Sequence, residues 1–476
     1  MQNDDSHGPA GFGRRQHPSL GRQTESVASG TAARAAEHPL APEAHNEDPL
    51  GRIKIRIFGL ILDTIEVSVI NKLGREQARD EITALIGEIV TGKGIVISVP
   101  EQEKITQDIL NDMFGLGPIE PLMDDPEITD IMVNGHKRVF IERKGRIELT
   151  AIAFRDNAQL VNICMRIAGG VNRRVDESSP ICDARLEDGS RVNIIIPPLA
   201  VDAPLLTIRR FRKDRLQLDD LVSFGAMSAP LARFLELAVM GRCNILISGG
   251  TGSGKTTLLN ALSFSIREND RIVTIEDTAE LQLQQIHVGR LETRPANIEG
   301  RGEITQRDLM KNTLRMRPDR IIVGEVRGSE AFDMLQAMNT GHAGSMSTIH
   351  ANTPQDCLHR LEDMVAMAGF GLPSSNVLAQ IGSALDLIIQ VERLHDGSRR
   401  LTAVQEVLGY ADGVIALQDM FTFAVEGEDE AGRLQGSFVW SGQKPHYYDK
   451  IRRQGHEPAL IALFRGLAAQ AASPAD

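Results

Sequence analysis

The stretch NILISGGTGSGKTTLLNALSFSI (Asn244–Ile266) decides the fold. It is an apolar run, then a glycine-rich loop, then a helical pattern, in that order. The loop satisfies G-x-x-x-x-G-K-[ST] from Gly249 to Thr256, directly after a strand-like run and before a helix, which is the context this motif requires. Gly249, Gly250, Gly252 and Gly254, with Thr251, Ser253 and Thr257 between and beyond them, let backbone N–H groups wrap around phosphates. Lys255 is placed to reach β- and γ-phosphates, and the Thr256 hydroxyl to ligate Mg²⁺. The helix N-terminus adds its positive dipole end at the same place.

Working outward, three further apolar runs end in polar residues: RIVTIED (Arg271–Asp277), DRIIVGE (Asp319–Glu325) and SMSTIHAN (Ser345–Asn352). Apolar strands alternating with longer helical patterns are the α/β signature, and ligands bind outside the carboxyl ends of parallel strands. If all four runs are neighbours, Lys255, Glu276, Asp277, Glu325 and His350 converge on one cleft. Periodicity alone does not make them neighbours. Hydrolysis needs a group that orients or deprotonates water, and Glu325 is the leading candidate, with Glu276 and Asp277 a second acidic pair near the metal. A carboxylate at a strand end is otherwise a solvated residue or a helix cap, and Glu280 is a weaker candidate still. His350 could sense the γ-phosphate or a metal-bound water. His342, beside Gly341, reads equally well as a loop histidine.

Ahead of this region the pattern differs. Residues 1–50 are rich in Gly, Ala, His, Ser, Pro and Asp with almost no large aliphatics, too little apolar surface to offset ordering entropy, and read as a disordered tail. Ile57, Leu60, Ile61, Ile65 and Val69 share one helical face, Ile82, Leu85, Ile86 and Ile89 repeat it, and Ile105, Ile109 and Met113 suggest a third helix. Residues 51–114 are therefore expected to form a helical module. From Gly115 to Arg215 short strands and a helix follow without regular alternation, an α+β domain, with hairpin turns at Lys144-Gly145 and Asp188-Gly189. That region carries Arg173, Arg174, Arg185, Arg191, Arg209 and Arg210 near its turns, and TIRRFRKDR (Thr207–Arg215) ends it. Any one arginine is most simply a solvated surface residue. As a group they suit phosphate recognition, since the guanidinium fork binds oxygens bidentately. Phe211 is the only aromatic among them, which favours an interdomain phosphate clamp over a nucleic-acid surface. Residues 220–476 are assigned to the α/β domain, with Asp396-Gly397 a turn, a small β element around Ser437–Trp440, and Trp440 a structural anchor.

A chain of 476 residues has room for two or three domains at about 100–200 residues each. Its 52 basic and 64 acidic residues give a net charge of -12, which argues against a surface built for non-specific nucleic-acid binding. Four scattered cysteines with no metal spacing fit a reducing compartment. The most apolar early run, Ile57–Ile70, carries Asp63 and Glu66 and falls short of the ~20 residues that span a bilayer. Arg14 and Arg15 are followed by no apolar core, so no export signal is expected.

Taken together, GGTGSGKTT, IEDTAELQL, RLETRPANIEG, RMRPDRIIVGEVRG and AMNTGHAGSMSTIHAN resemble the Walker A, Asp box, intervening loop, Walker B and His box of the type II/IV secretion ATPase superfamily. They look most like the CpaF/TadA family of Flp (Tad) pilus-assembly ATPases. The resemblance runs from about Gly115 into the C-terminal region. It implies a RecA-like ATPase domain after a PAS-like α+β domain, assembled as a homohexameric ring at the cytoplasmic face of the inner membrane. ATP and Mg²⁺ would be bound, platform proteins of the membrane would be partners, and no nucleic acid is expected. Lys255 and Thr256 would hold phosphate and Mg²⁺, Glu325 would be the Walker B glutamate, Glu276 and Asp277 belong to the Asp box, and His342 and His350 to the His box. Arg185, Arg191 and Arg209 lie where the family places phosphate-contacting arginines. Many other P-loop proteins end this strand in Asp where Glu325 stands, so the metal would be held less directly, with Glu276 or Asp277 sharing the task. A related ATPase of conjugation or effector secretion, and a nucleotide-dependent scaffold that does not turn over, are the alternatives.

Overall fold

The computed structural model describes residues 49–64, 75–143, 145–211, 216–296, 301–430 and 432–472. The tail expected over 1–50 lies almost wholly outside the described residues. So do Ile65 and Val69 of the first helical stripe, Lys144, the end of TIRRFRKDR (212–215), and 297–300 of the intervening loop. The described residues all belong to one compact unit.

Helices α1 (Pro49–Thr64), α2 (Arg75–Gly92) and α3 (Val99–Phe114) meet on Ile57, Ile61, Ile82, Ile86, Ile105 and Ile109, each at most 1% exposed. Isoleucines at helical spacing supply each stripe, so the three helices bury one common seam. Ser98 starts α3 with a capping box, its N–H donating to Glu101 Oε2 at 2.7 Å. Asp112, near the end of α3, accepts from Gln159 Nε2 at 3.0 Å and lies 3.1 Å from Lys54 Nζ. Arg166 donates to the carbonyls of Asp112 and Met113 at 3.0 and 3.2 Å and to that of Gly115, satisfying the last acceptors of α3.

After a 3₁₀ turn (Gly117–Ile119) and short α4 (Glu120–Asp124) come β1 (Ile128–Asn134), β2 (Val139–Arg143), β3 (Arg146–Leu149), α5 (Asn157–Gly170), β4 (Ile181–Arg185), β5 (Arg191–Ile195) and β6 (Leu205–Arg209). They form a six-stranded antiparallel sheet ordered β3-β2-β1-β6-β5-β4. In β6, Leu206 and Ile208 are buried while Leu205, Thr207 and Arg209 are exposed, the period-two pattern of a sheet covered on one side. The covered face packs Ile131, Val133, Val192 and Ile194 on Leu160, Ile163 and Ile167 of α5.

The C-terminal region opens with α6 (Leu218–Ser223) and α7 (Ala229–Met240), followed by β7 (Ile245–Gly249), α8 (Lys255–Ser263), β8 (Ile272–Glu276) and β9 (Val288–Glu292). Next are α9 (Gln306–Thr313), β10 (Arg320–Val323), α10 (Glu330–Asn339), β11 (Met346–Ile349), α11 (Pro354–Ala366), α12 (Ser374–Ala384) and β12 (Leu387–Arg393). It closes with β13 (Arg399–Ala411), β14 (Val414–Glu428), β15 (Leu434–Trp440), α13 (Tyr448–Arg453) and α14 (Glu457–Ala472). The nine strands are ordered β15-β14-β13-β12-β7-β11-β10-β8-β9, parallel from β12 through β9 and antiparallel in β13–β15. Ile245 and Ile247 of β7 face one apolar layer with Leu258, Leu259 and Leu262 of α8, and Leu246 faces the other with α10–α12. Burial on both faces explains why these strands read as continuous apolar runs.

The small β element expected around Ser437–Trp440 is the last strand of a much larger antiparallel extension. Its strands β13 and β14 run for 13 and 15 residues. Their apolar signal is weak because most of β14 beyond Phe421 meets solvent. Trp440 stacks on Phe464 with centroids 5.2 Å apart, and Phe234 of α7 lies 5.2, 6.4 and 6.3 Å from Phe421, Tyr447 and Phe464. Phe234 is fully buried. Phe234→Ala should therefore cost about 3–5 kcal/mol and lower the urea midpoint. The fluorescence of the single tryptophan, next to Phe464, reads the transition; an unchanged midpoint would contradict the packing described.

Candidate functional site

Strand order builds the site. β7, β11, β10 and β8 are consecutive parallel neighbours, so the residues that follow them emerge on one edge of the sheet. The loop after β7 turns through Gly252 at φ +70° and Gly254 at φ +104°, conformations that glycine adopts without steric penalty. A Cβ on Gly249 would overlap the Val391 carbonyl and lie 2.7 Å from Ser253 Oγ. Ser253 is 1% exposed, and its Oγ has no hydrogen-bond partner. Thr256 and Thr257 enter the first turn of α8.

Lys255 is 7% exposed, and its Nζ donates to the carbonyls of Gly249 and Gly250 at 3.0 and 2.8 Å. Burial pulls its pKa down to about 8, with Glu325 opposing and Arg327 adding to the shift. His350, following β11, spans the gap between the loop and β10. Its Nδ1 lies 3.4 Å from Lys255 Nζ and its Nε2 3.0 Å from Glu325 Oε1. Lysine can only donate, so the arrangement assigns a neutral imidazole with the proton on Nε2. Burial and the Lys255 cation both lower the His350 pKa, although Glu325 opposes them. Burial would raise the Glu325 pKa, but Arg327, His350 and Lys255 outweigh it and hold the carboxyl below its ordinary value.

Arg327 forks onto Glu325, Nε to Oε1 at 2.9 Å and Nη2 to Oε2 at 3.0 Å, and its Nη1 reaches Asp277 Oδ2 at 3.3 Å. Sequence reasoning assigned Arg327 no role. Its signal was present in GEVRG: a cation two residues past a strand-end carboxylate, on the same turn. Arg399, at the start of β13, was also missed; its Nε donates to Gly252 O at 2.8 Å and a guanidinium nitrogen lies 4.0 Å from Glu142 of the N-terminal sheet. A cleft of about 530 Å³ opens beside Gly250, Thr251 and His350, bounded by Asn352, Asp356 and Arg360.

Other expected site residues have partners of their own. Glu276 is 3% exposed and turns its carboxyl into its own loop, Oε2 accepting from the N–H groups of Glu280 and Leu281 at 2.7 and 2.8 Å. It organises the loop after β8, and its hydrogen bonds run to that loop rather than to Lys255, His350 or Glu325. His342 sits at the end of α10, its Nδ1 3.3 Å from the Ala337 carbonyl, where a histidine serves the unpaired acceptors of a helix terminus. The arginines expected beside the γ-phosphate pair with carboxylates in this structure. Arg191 lies 3.2 Å from Glu280 and Arg185 3.4 Å from Glu292, both across to the C-terminal sheet, while Arg209 pairs with Asp130 at 3.2 Å inside its own sheet. Among the described residues no group of three or more His, Cys, Asp or Glu side chains is arranged to hold a metal ion. No described helix is long and apolar enough to cross a membrane.

The loop glycines, buried Lys255, the unpartnered Ser253 hydroxyl and a carboxylate held by His350 define the class: a P-loop α/β protein. Residues 112–420 match the family described as Type II/IV secretion system protein, and the chain belongs to that family. A putative conjugal transfer protein of Mycobacterium tuberculosis is 36% identical over 308 residues, 63% of this chain and 87% of that one. The conjugal transfer protein TrbB of Rhizobium radiobacter is 38% identical over 318 residues, covering 66% and 92%. The type IV secretion system protein VirB11 of Brucella suis is 32% identical over 315 residues, covering 60% and 87%. The crystal structure of the VirB11 ATPase of the Brucella suis type IV secretion system with sulphate overlaps 62% of this chain and 97% of that one, at 31% identity and a TM-score of 0.34.

Burial raises the Glu276 pKa to about 7, against the backbone donors of Leu281 and Glu280. The folded state then binds this proton more tightly than the unfolded chain, so stability falls as pH rises from about 4.5 to about 7 and levels off above. Glu276→Gln keeps an acceptor for the loop and removes the charge. It should flatten that slope and stabilise the protein at pH 8 by on the order of 2 kcal/mol, read from urea midpoints at pH 5 and pH 8.

Proposed function

We propose that this chain is an ATP-hydrolysing motor of a secretion machine. The observation that carries the reading is the continuous contact from Lys255 through His350 to Glu325 across adjacent parallel strands. Lys255, now bonded to its own loop carbonyls, is the cation that phosphate oxygens would draw over, and the loop N–H groups with the Ser253 hydroxyl supply further donors. Thr256 and Glu325 are the residues that would hold Mg²⁺, which when bound screens the phosphate charge and orients the γ-phosphoryl group. Glu325 accepts the proton of the attacking water, or orients it, while the Nε2–H of His350 fixes the carboxylate in place.

Within this reading the chain drives assembly of Flp (Tad) pili as a homohexameric ring, working on an inner-membrane platform protein from the cytoplasmic side. The five ordered motifs GGTGSGKTT, IEDTAELQL, RLETRPANIEG, RMRPDRIIVGEVRG and AMNTGHAGSMSTIHAN support it. The C-terminal sheet is the RecA-like engine, and the antiparallel sheet with one helix-covered face is a PAS-like partner domain. Arg185 and Arg191 already reach across to the C-terminal sheet. In the ATP-bound ring they exchange Glu292 and Glu280 for phosphate, closing the two sheets on each other. A second reading, an ATPase of conjugation or type IV secretion, is favoured by the names of the relatives TrbB and VirB11.

Lys255→Ala should abolish nucleotide binding. Glu325→Gln should retain binding and lose about 10²–10⁴-fold in turnover, measured as phosphate release with and without detergent-solubilised platform protein. Full turnover in either variant would sink the motor reading. Stimulation by DNA would favour the conjugation reading.

The depressed Lys255 pKa, about 8, gives an independent check. A bound triphosphate stabilises the ammonium form, so nucleotide binding at pH 8.5 should take up protons, with the uptake declining toward pH 7. Calorimetry in buffers of different ionisation enthalpy measures that uptake.

A further inference from the structure

We infer that Arg327 is a cationic latch on Glu325, a positioning residue that must swing onto Asp277 before the Glu325 carboxylate can serve water or metal. The inference rests on the ATPase reading above. In the latched arrangement both Glu325 oxygens carry an arginine N–H, and Oε1 carries the imidazole as well. A forked guanidinium takes the in-plane lone pairs that point between the two oxygens, the same lone pairs a water proton or a divalent cation would use. A guanidinium and Mg²⁺ on one carboxylate are also like charges at close range. Exchange, rather than addition, is therefore the route to an active site.

The alternative seat is already touched. Asp277 Oδ2 lies 3.3 Å from Nη1, the guanidinium nitrogen that Glu325 does not bind. The path is short because the backbone stays fixed: the N–H groups of Arg327 and Gly328 donate to Glu330 Oε1 at 2.7 and 2.8 Å, and Glu330 is 7% exposed. Only the side chain has to move. Its exposure of 56%, against 21% for Glu325 and 40% for Asp277, puts the guanidinium on the solvent side of the pair. The seat that receives it is the more open of the two carboxylates.

The test uses the full-length protein with Asp277→Asn, Arg327→Lys and the double variant. Two quantities are read: ATP turnover, and the ratio of affinities for a fluorescent ATP analogue in Mg²⁺ and in EDTA. Asp277→Asn removes the landing seat, so turnover should fall about tenfold and the Mg²⁺ enhancement should shrink, with affinity in EDTA unchanged. Lysine pairs as a point charge and cannot fork. Adding Arg327→Lys to Asp277→Asn should therefore raise both quantities back toward wild type. A merely structural arginine predicts the reverse, a further fall in the double variant. That fall, or an Asp277→Asn protein indistinguishable from wild type in both readouts, overturns the latch. Absence of turnover in the wild type would instead defeat the ATPase reading, and the Mg²⁺ enhancement of binding would still decide the latch.

Discussion

The structure depends on one spacing constraint: β11 lies between the strand that feeds the phosphate loop and the strand that ends before Glu325. Adjacent strands sit about 4.8 Å apart, so β7 and β10 are two strand widths from each other, and the residue after the strand between them meets both Lys255 and Glu325. A neutral imidazole does this because it offers an acceptor on one edge and a donor on the other. Lys255 on the Nδ1 side and Glu325 on the Nε2 side match those edges. Protonation would set an N–H against the lysine ammonium, and the lowered His350 pKa follows from that contact together with burial.

The close approach has requirements further back in the sheet. Gly249 has no room for a side chain beneath the Val391 carbonyl, and a Cβ on Gly324 would come within 2.9 Å of Glu276 Cγ. Gly324 therefore lets the buried Glu276 side chain lie beside β10, from where its carboxyl holds the N–H of Glu280. The Glu280 side chain in turn meets Arg191. One buried carboxyl thus links the central strands to the contact between the two sheets.

Much of this was legible in the sequence, for a specific reason. Strands buried on both faces read as apolar runs, and the polar residue that follows each run marks the sheet edge, which is how Lys255, Glu325 and His350 were found together. Strand order is not encoded in periodicity, so the bridging position of His350 could not be read. Nor could the direction of a strand-end carboxylate: Glu276 and Asp277 are adjacent in IED, yet one turns inward to its loop and the other outward to Arg327. The arginines of the N-terminal sheet were legible as a cluster but not as partners. Their choice between phosphate and carboxylate depends on Glu280 and Glu292, which come from a separate part of the chain.

Those pairings bear on how tightly the sheets are joined. Arg185, Arg191, Glu280 and Glu292 are each 30–40% exposed, and pairs open to solvent contribute about 0–1 kcal/mol apiece. The apolar clusters, by contrast, close within each sheet and within the helical module. The large hydrophobic terms therefore fix each part internally, while weak, exchangeable ion pairs contribute to the contact between the sheets. Arg399, reaching both the Gly252 carbonyl and the vicinity of Glu142, makes the phosphate loop itself one of those contacts. A change in the charge at that loop therefore acts directly on the contact between the two sheets.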